Sequence, residues 1–301
     1  MKKITYSFKK DIAARKEQQD NVSITKKAND VLIALGDGMG GHTDGAVASS
    51  IFVTKAEKLF LDNNQNNIPE LFQKIIVETE NQISDFANEK GKDPHTTATL
   101  ALITEQGVNF ANIGDSRIYI FDQEKLLLRS RDHSVPEMLL QMGEITEDEM
   151  ATHPDQNKLT KSVGPTVHEK LSHYSFQFED NKDYIILACS DGFWEYVKEK
   201  EMIHFLFHNE VETALSNMLE IARERGGDKG DNISVAAVSI TKDNESKKEE
   251  KINPKLSKKS NHNKTIFFVL LTFFIAVSGG YFYLKTSQIT KVNQDDYKNK
   301  K

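Results

Sequence analysis

Val31-Leu32-Ile33-Ala34-Leu35-Gly36-Asp37-Gly38-Met39-Gly40-Gly41-His42 is the stretch from which the fold can be read. Its apolar half, Val31 to Leu35, reads as a buried strand, so Asp37 leaves a rigid strand end directly into a glycine-rich turn. A carboxylate held there can grip a cation. Three glycines within Asp37 to Gly41 let backbone carbonyls and amides approach a ligand that a Cβ would keep away. Taken alone, an Asp-Gly turn is ordinary turn chemistry. Its meaning therefore rests on the other carboxylates.

Four further segments share its character, an Asp beside Gly, Ser or Asn at the edge of an apolar strand: Gln19-Asp20, Gly114-Asp115-Ser116-Arg117, Ser190-Asp191-Gly192 and Gly230-Asp231-Asn232. Stacked sheets would bring such strand ends to one rim. Carboxylates gathered there repel one another unless a cation neutralises them, and an all-oxygen cluster suits the hard ions Mg²⁺ or Mn²⁺. Paired ions can also lower the pKa of a shared water until it is a nucleophile. Arg15 adds a planar donor fork suited to a phosphoryl group. The chemistry this describes is metal-assisted hydrolysis of a phosphate ester.

Working outward, strands are expected near Ile4 to Phe8, Val22 to Thr25, Thr97 to Thr104, Val108 to Ile113, Arg117 to Phe121, Leu171 to Phe178, Tyr184 to Ser190 and Asn232 to Ile240. Helical spacing marks Ala46 to Leu61, Ile68 to Asn88, Met202 to Phe207 and Thr213 to Arg225. Between Asp132 and Gly164 the pattern loosens into a flap with short helices at Glu137 to Met142 and Glu147 to Met150. Strands fill the interior and helices come in pairs, which predicts an α+β architecture of stacked sheets with helices layered on them.

The net charge of −6 gives no general attraction to nucleic acid. The single cysteine, Cys189, excludes an intramolecular disulfide and sits in an apolar run, as a small buried hydrophobe would. The N-terminus lacks the apolar region of a secretory signal. Residues 1–240 are expected to form the catalytic domain and 241–264 a polar, Lys-rich linker. Residues 265–284 carry no charge between Lys264 and Lys285, the length one helix needs to span a membrane, and 285–301 are a short polar tail. Lysines such as Lys255, Lys258 and Lys259 on the linker side would keep the catalytic domain cytoplasmic.

Arg15…Asp20, Asp37-Gly38-Met39-Gly40-Gly41-His42, Gly114-Asp115-Ser116-Arg117, Asp132-His133-Ser134, Leu159 to Gly164, Cys189-Ser190-Asp191-Gly192 and Gly230-Asp231-Asn232-Ile233 form an ordered series. In that order they resemble the motifs of the metal-dependent protein serine/threonine phosphatases, the protein phosphatase 2C family in its bacterial form, over about residues 1–240. The resemblance implies a four-layer α-β-β-α sandwich, here with one C-terminal transmembrane helix added, and two Mn²⁺ or Mg²⁺ ions at one end. It implies that Asp37 bridges both ions, that the Gly38 carbonyl binds one, and that Asp191 and Asp231 bind the other. Asp20 would ligate a metal or hold its water, and Asp115 with Asp191 would form a weaker third site. Arg15 would bind the substrate phosphate and Asn232 would orient Asp231. Phosphate would leave by in-line attack of a metal-bridging water, with His42 as the candidate acid for the leaving serine or threonine oxygen. The implied partners are phosphorylated proteins and a Ser/Thr kinase. A second reading is a membrane-tethered pseudophosphatase that binds phosphoproteins without hydrolysis, against which Asp37, Asp191 and Asp231 argue by being present. Departures from the family pattern are Gln19 where many relatives carry Glu, Met39 where animal relatives carry a histidine, His95 for glycine, and Ala13 near a frequent glycine.

Overall fold

The computed structural model describes residues 2–39, 44–63, 67–123, 125–165 and 171–242. Strand β3 (Asp30–Gly36) is the apolar run that opens into the glycine turn, and it is buried from Val31 onward. It pairs antiparallel with β2 (Asn21–Lys27) on one side and β6 (Ala98–Ile103) on the other, Leu35 lying opposite Val22 and Thr99. With β7 (Gly107–Ile113) and β10 (Tyr174–Gln177) these form a five-stranded sheet in the order β10-β7-β6-β3-β2. A second antiparallel sheet joins β1 (Lys2–Asp11), β8 (Arg117–Phe121), β9 (Leu126–Arg129), β11 (Tyr184–Cys189) and β12 (Ile233–Lys242) in the order β1-β12-β11-β8-β9. The short pair β4 (Gly38–Met39) and β5 (His95–Thr96) carries the chain out of β3.

Side chains alternate across each strand, and the central strands of both sheets are covered on both faces. Ile33, Leu35, Ala101 and Phe110 meet Ile118, Ile120, Ile186 and Val238 in the core between the sheets. The opposite face of β3 and β6, through Leu32, Ala34, Leu100 and Leu102, packs on helices α1 (Asp44–Asp62) and α2 (Ile68–Lys90). On the other sheet Tyr119, Phe121, Leu187, Val235 and Ala237 pack on α5 (Asp191–Trp194), α6 (Glu199–His208) and α7 (Val211–Gly226). This is the α+β arrangement of two antiparallel sheets and flanking helices that the pattern predicts.

Differences lie where the sequence signal is short. In the flap, α3 (Val135–Met142) starts before Glu137, because Ser134 Oγ caps the Glu137 amide at 3.4 Å and Pro136 occupies the first turn, where no N–H is needed. Helix α4 (Glu147–Met150) falls where expected. Strand β9, Leu-Leu-Leu-Arg, has no alternation to announce it. The strand expected at Leu171 to Phe178 is confined to β10, an outer strand whose side chains are mostly exposed, so alternation there reports little burial. β12 continues to Lys242, paired with Lys2, two residues beyond the expected domain end. Among the described residues no helix is long and apolar enough to cross a membrane. The expected span 265–284, the tail, the linker from 243 and His42 lie outside the described residues.

Candidate metal centre

All five aspartates come to one rim. Asp37 follows β3, Asp115 lies in the β7–β8 turn, Asp191 follows β11, Asp231 precedes β12 and Asp20 precedes β2. A cavity of about 490 Å³ opens there, lined by Arg15, Asp37, Gly38, Asp115, Asp191 and Asp231, with Gln19, Met39 and Leu159 among its other walls. Asp20 is not part of that lining. It is 1 % exposed and lies behind the wall, where Ser190 Oγ donates to its Oδ2 at 2.7 Å.

Local geometry fixes Asp37. Its amide donates to Thr97 Oγ1 at 2.9 Å, and the Thr97 amide donates to the Asp37 carbonyl at 2.8 Å. The glycine that follows has a packing reason as well as a ligand one. A Cβ on Gly38 would stand 2.1 Å from the carbonyl oxygen of Gly45, and one on Gly45 would stand 2.6 Å from the Gly38 carbonyl carbon. The metal loop and the start of α1 thus meet backbone to backbone, a contact only paired glycines allow.

The electrostatics are those of an acidic cluster. Burial, then the charges of Asp20, Asp191, Asp115 and Asp231, push the Asp37 carboxyl well above the usual range. Burial and Asp191 do the same to Asp115. Burial raises Asp20 to about 8, against the pull of the Ser190 hydroxyl, and Asp191 to about 6, where a hydrogen bond from Asp37 offsets part of the rise. Glu195, which sequence reading passed over, is pushed up to about 8 by burial and by Asp191 and Asp231. Among the described residues no three Asp, Glu, His or Cys side chains are drawn together closely enough to hold a metal ion as they stand. The donor set nevertheless fits a hard divalent cation. It is all oxygen, it is crowded enough that its members suppress each other's ionisation, and a cation is what would relieve that cost.

Arg15 and Asn232 each make contacts that the sequence did not announce. Arg15 Nη2 is ion-paired with Asp231 Oδ2 at 2.5 Å, so the residue expected on phosphate neutralises an expected metal ligand. The Asn232 side chain does not orient Asp231. Its Oδ1 accepts from the Gln19 amide at 2.7 Å, and its Nδ2 donates to the Ile12 and Glu17 carbonyls at 3.0 Å each, so it staples the loop that carries Arg15. Asp231 instead receives the Asn232 backbone amide at 2.7 Å. Ala13, in that same loop, takes φ 49°, in the left-handed region that glycine adopts without strain.

Behind the rim, Arg117 is buried and grips Asp132 with Nε at 3.0 Å and Nη2 at 2.7 Å, while its guanidinium lies 3.4 Å from the centroid of the Trp194 ring. Trp194 Nε1 in turn donates to the Asp115 carbonyl at 3.0 Å. Arg117 and Asp132 stand in two of the motifs read from the sequence, but neither they nor Trp194 carried a signal that they formed one support.

The structure thus gathers four aspartates and an arginine around one cavity at the strand ends of a two-sheet α+β sandwich. The protein phosphatase 2C sequence profile matches residues 9–229. A putative protein phosphatase 2C-type protein of Streptococcus pyogenes is 31% identical over 241 residues, 77% of this chain and 96% of that one. Protein phosphatase PhpP of Streptococcus pneumoniae is 31% identical over 240 residues, 76% and 94% of the two chains. The crystal structure of serine/threonine phosphatase Stp1 from Staphylococcus aureus superposes with a TM-score of 0.70 at 28% identity, covering 80% of this chain and 96% of that one. The chain belongs to the protein phosphatase 2C family, whose members are metal-dependent phosphoric monoester hydrolases, and is an enzyme of the protein-serine/threonine phosphatase class.

Proposed function

We propose that the carboxylate rim holds two divalent cations, Mn²⁺ or Mg²⁺, and that the enzyme removes phosphate from phosphoserine and phosphothreonine in proteins. The observation that carries this is the convergence of Asp37, Asp115, Asp191 and Asp231 on one cavity, backed by buried Asp20. Asp37 would serve both cations, with the Gly38 carbonyl on one and Asp191 and Asp231 on the other. Asp115 with Asp191 would supply a third, weaker site, and Asp20 would hold a ligand water from behind. When bound, the cations neutralise the phosphate and supply an acidified water.

The chain's own residues do the positioning. Arg15 stands at the cavity mouth on Asp231 and presents its remaining donors to a phosphate oxygen; a cation on Asp231 would free the whole fork. Asn232 keeps the Arg15 loop in place. His42 is the candidate donor to the leaving oxygen. Catalysis of this type rests on placement and charge neutralisation.

Membrane tethering belongs to the same reading. The uncharged run 265–284 supports an anchoring helix, with the catalytic domain cytoplasmic and a Ser/Thr kinase and its substrates as partners. β12 begins beside Asp231 and runs ten residues to Lys242, so the chain leaves the sheet on the order of 30 Å from the carboxylates. Both the full chain and a chain ended at Lys242 should hydrolyse p-nitrophenyl phosphate with Mn²⁺, and only the full chain should sediment with membranes. Equal partitioning of the two forms would remove the anchor.

A further inference from the structure

A second cavity, of about 590 Å³, lies between flap helix α3 and the outer strand β10. One stretch of chain separates it from the carboxylate cavity: Asn157 and Leu159 line the first, Thr160 the second. That wall is fixed, because the Val135 amide donates to the Lys158 carbonyl at 2.9 Å and the Thr160 amide to the His133 carbonyl at 2.8 Å. Neighbouring residues of an extended chain are about 3.4 Å apart, so a substrate segment with its phosphorylated residue in the first cavity would reach the second within a few positions.

The lining is chemically one-sided. Tyr174, 50 % exposed, stacks on Phe110 with centroids 5.5 Å apart, and Met138 is 49 % exposed, which gives an apolar wall. Arg129 is spent on Glu137 at 3.0 Å and Glu147 at 2.8 Å, and buried Asp132 is spent on Arg117. Arg131 differs: it is exposed, and among the described residues its guanidinium makes no hydrogen bond or ion pair. Among the described residues its charge is unpaired, in a groove of a chain whose net charge is −6.

We propose that this groove docks the part of the phosphoprotein substrate flanking the phosphorylated residue, and that Arg131 selects substrates with an acidic side chain there. The docking proposal rests on the phosphatase reading and narrows its substrate class. Arg131 acts on affinity for the flank, away from the reacting atoms.

The test compares the full chain with Mn²⁺ on two phosphothreonine peptides that differ only in carrying Glu or Gln near the phosphorylated residue, with p-nitrophenyl phosphate as the flank-free substrate. The wild type should prefer the Glu peptide by about fivefold in kcat/KM, the scale of one exposed ion pair. Arg131→Ala should erase that preference through KM, leaving kcat, the Gln peptide and p-nitrophenyl phosphate unchanged, and Arg131→Glu should invert it. Equal use of both peptides by the wild type, or an equal loss on both in Arg131→Ala, would overturn the docking site while leaving the phosphatase intact. A wild type inert even on p-nitrophenyl phosphate would overturn the phosphatase reading and the docking site with it.

Discussion

Arg117→Ala should cost about 3–5 kcal/mol of stability, because it takes from the interior Asp132 carboxylate the fork that grips it and leaves only the longer Arg129 contact at 3.5 Å. Asp132 is 5 % exposed and takes both prongs of the Arg117 fork, and Arg117 itself is 3 % exposed. The variant also loses the Tyr119 hydroxyl contact at 3.2 Å and the packing of the guanidinium on Trp194. For a domain of this size that loss should lower the midpoint of thermal unfolding by roughly 10 °C. Arg117→Lys keeps the charge but not the planar fork and should recover only part of it. Replacing both partners, Arg117→Met with Asp132→Leu, should be less damaging than Arg117→Ala alone, since neither charge of the pair is then left in the interior without the other. Thermal unfolding decides it: an Arg117→Ala midpoint within about 2 °C of wild type would mean the buried pair contributes little.

Asp37→Asn should abolish turnover and yet spare the fold. The residue is the carboxylate proposed above to serve both cations, so hydrolysis of p-nitrophenyl phosphate with Mn²⁺ should fall on the order of a thousandfold or more, about 4 kcal/mol of barrier. Without added metal the variant should be at least as stable as wild type. A carboxyl whose folded pKa is raised well above its unfolded value destabilises the folded state increasingly as pH rises above about 4. The amide removes that penalty, so the stability gain should be larger at pH 8 than at pH 5. Retained activity would take Asp37 out of the centre, and unfolding would assign it to structure.

The sheets and helices were legible because their strands are long apolar runs and their helices show clear spacing. The rim was legible because each aspartate sits at the end of such a run. What the sequence concealed depends on partners brought from far along the chain. Asn232 looks like a helper of its neighbour Asp231, but its side chain crosses to Ile12 and Glu17. Gly45 reads as an ordinary helix-start residue until Gly38 is laid against it. Glu195 carries no motif, and only burial beside Asp191 and Asp231 marks it. Arg15 shows the limit from the other side: its residue type suggested phosphate, while its neighbour in the fold is a carboxylate.

Calorimetric titration of the full chain with Mn²⁺ shows whether the rim is a metal centre. Because Asp20 is held near 8 and Asp37 and Asp115 well above the usual carboxylate range, binding near neutral pH should expel protons. Saturable uptake of two ions is expected, with a heat that varies with the ionisation enthalpy of the buffer. The share of that variation owed to Asp20 should fade as pH rises past about 8, and the uptake should be lost in Asp37→Asn. No uptake at millimolar Mn²⁺, or uptake unchanged by Asp37→Asn, would contradict it.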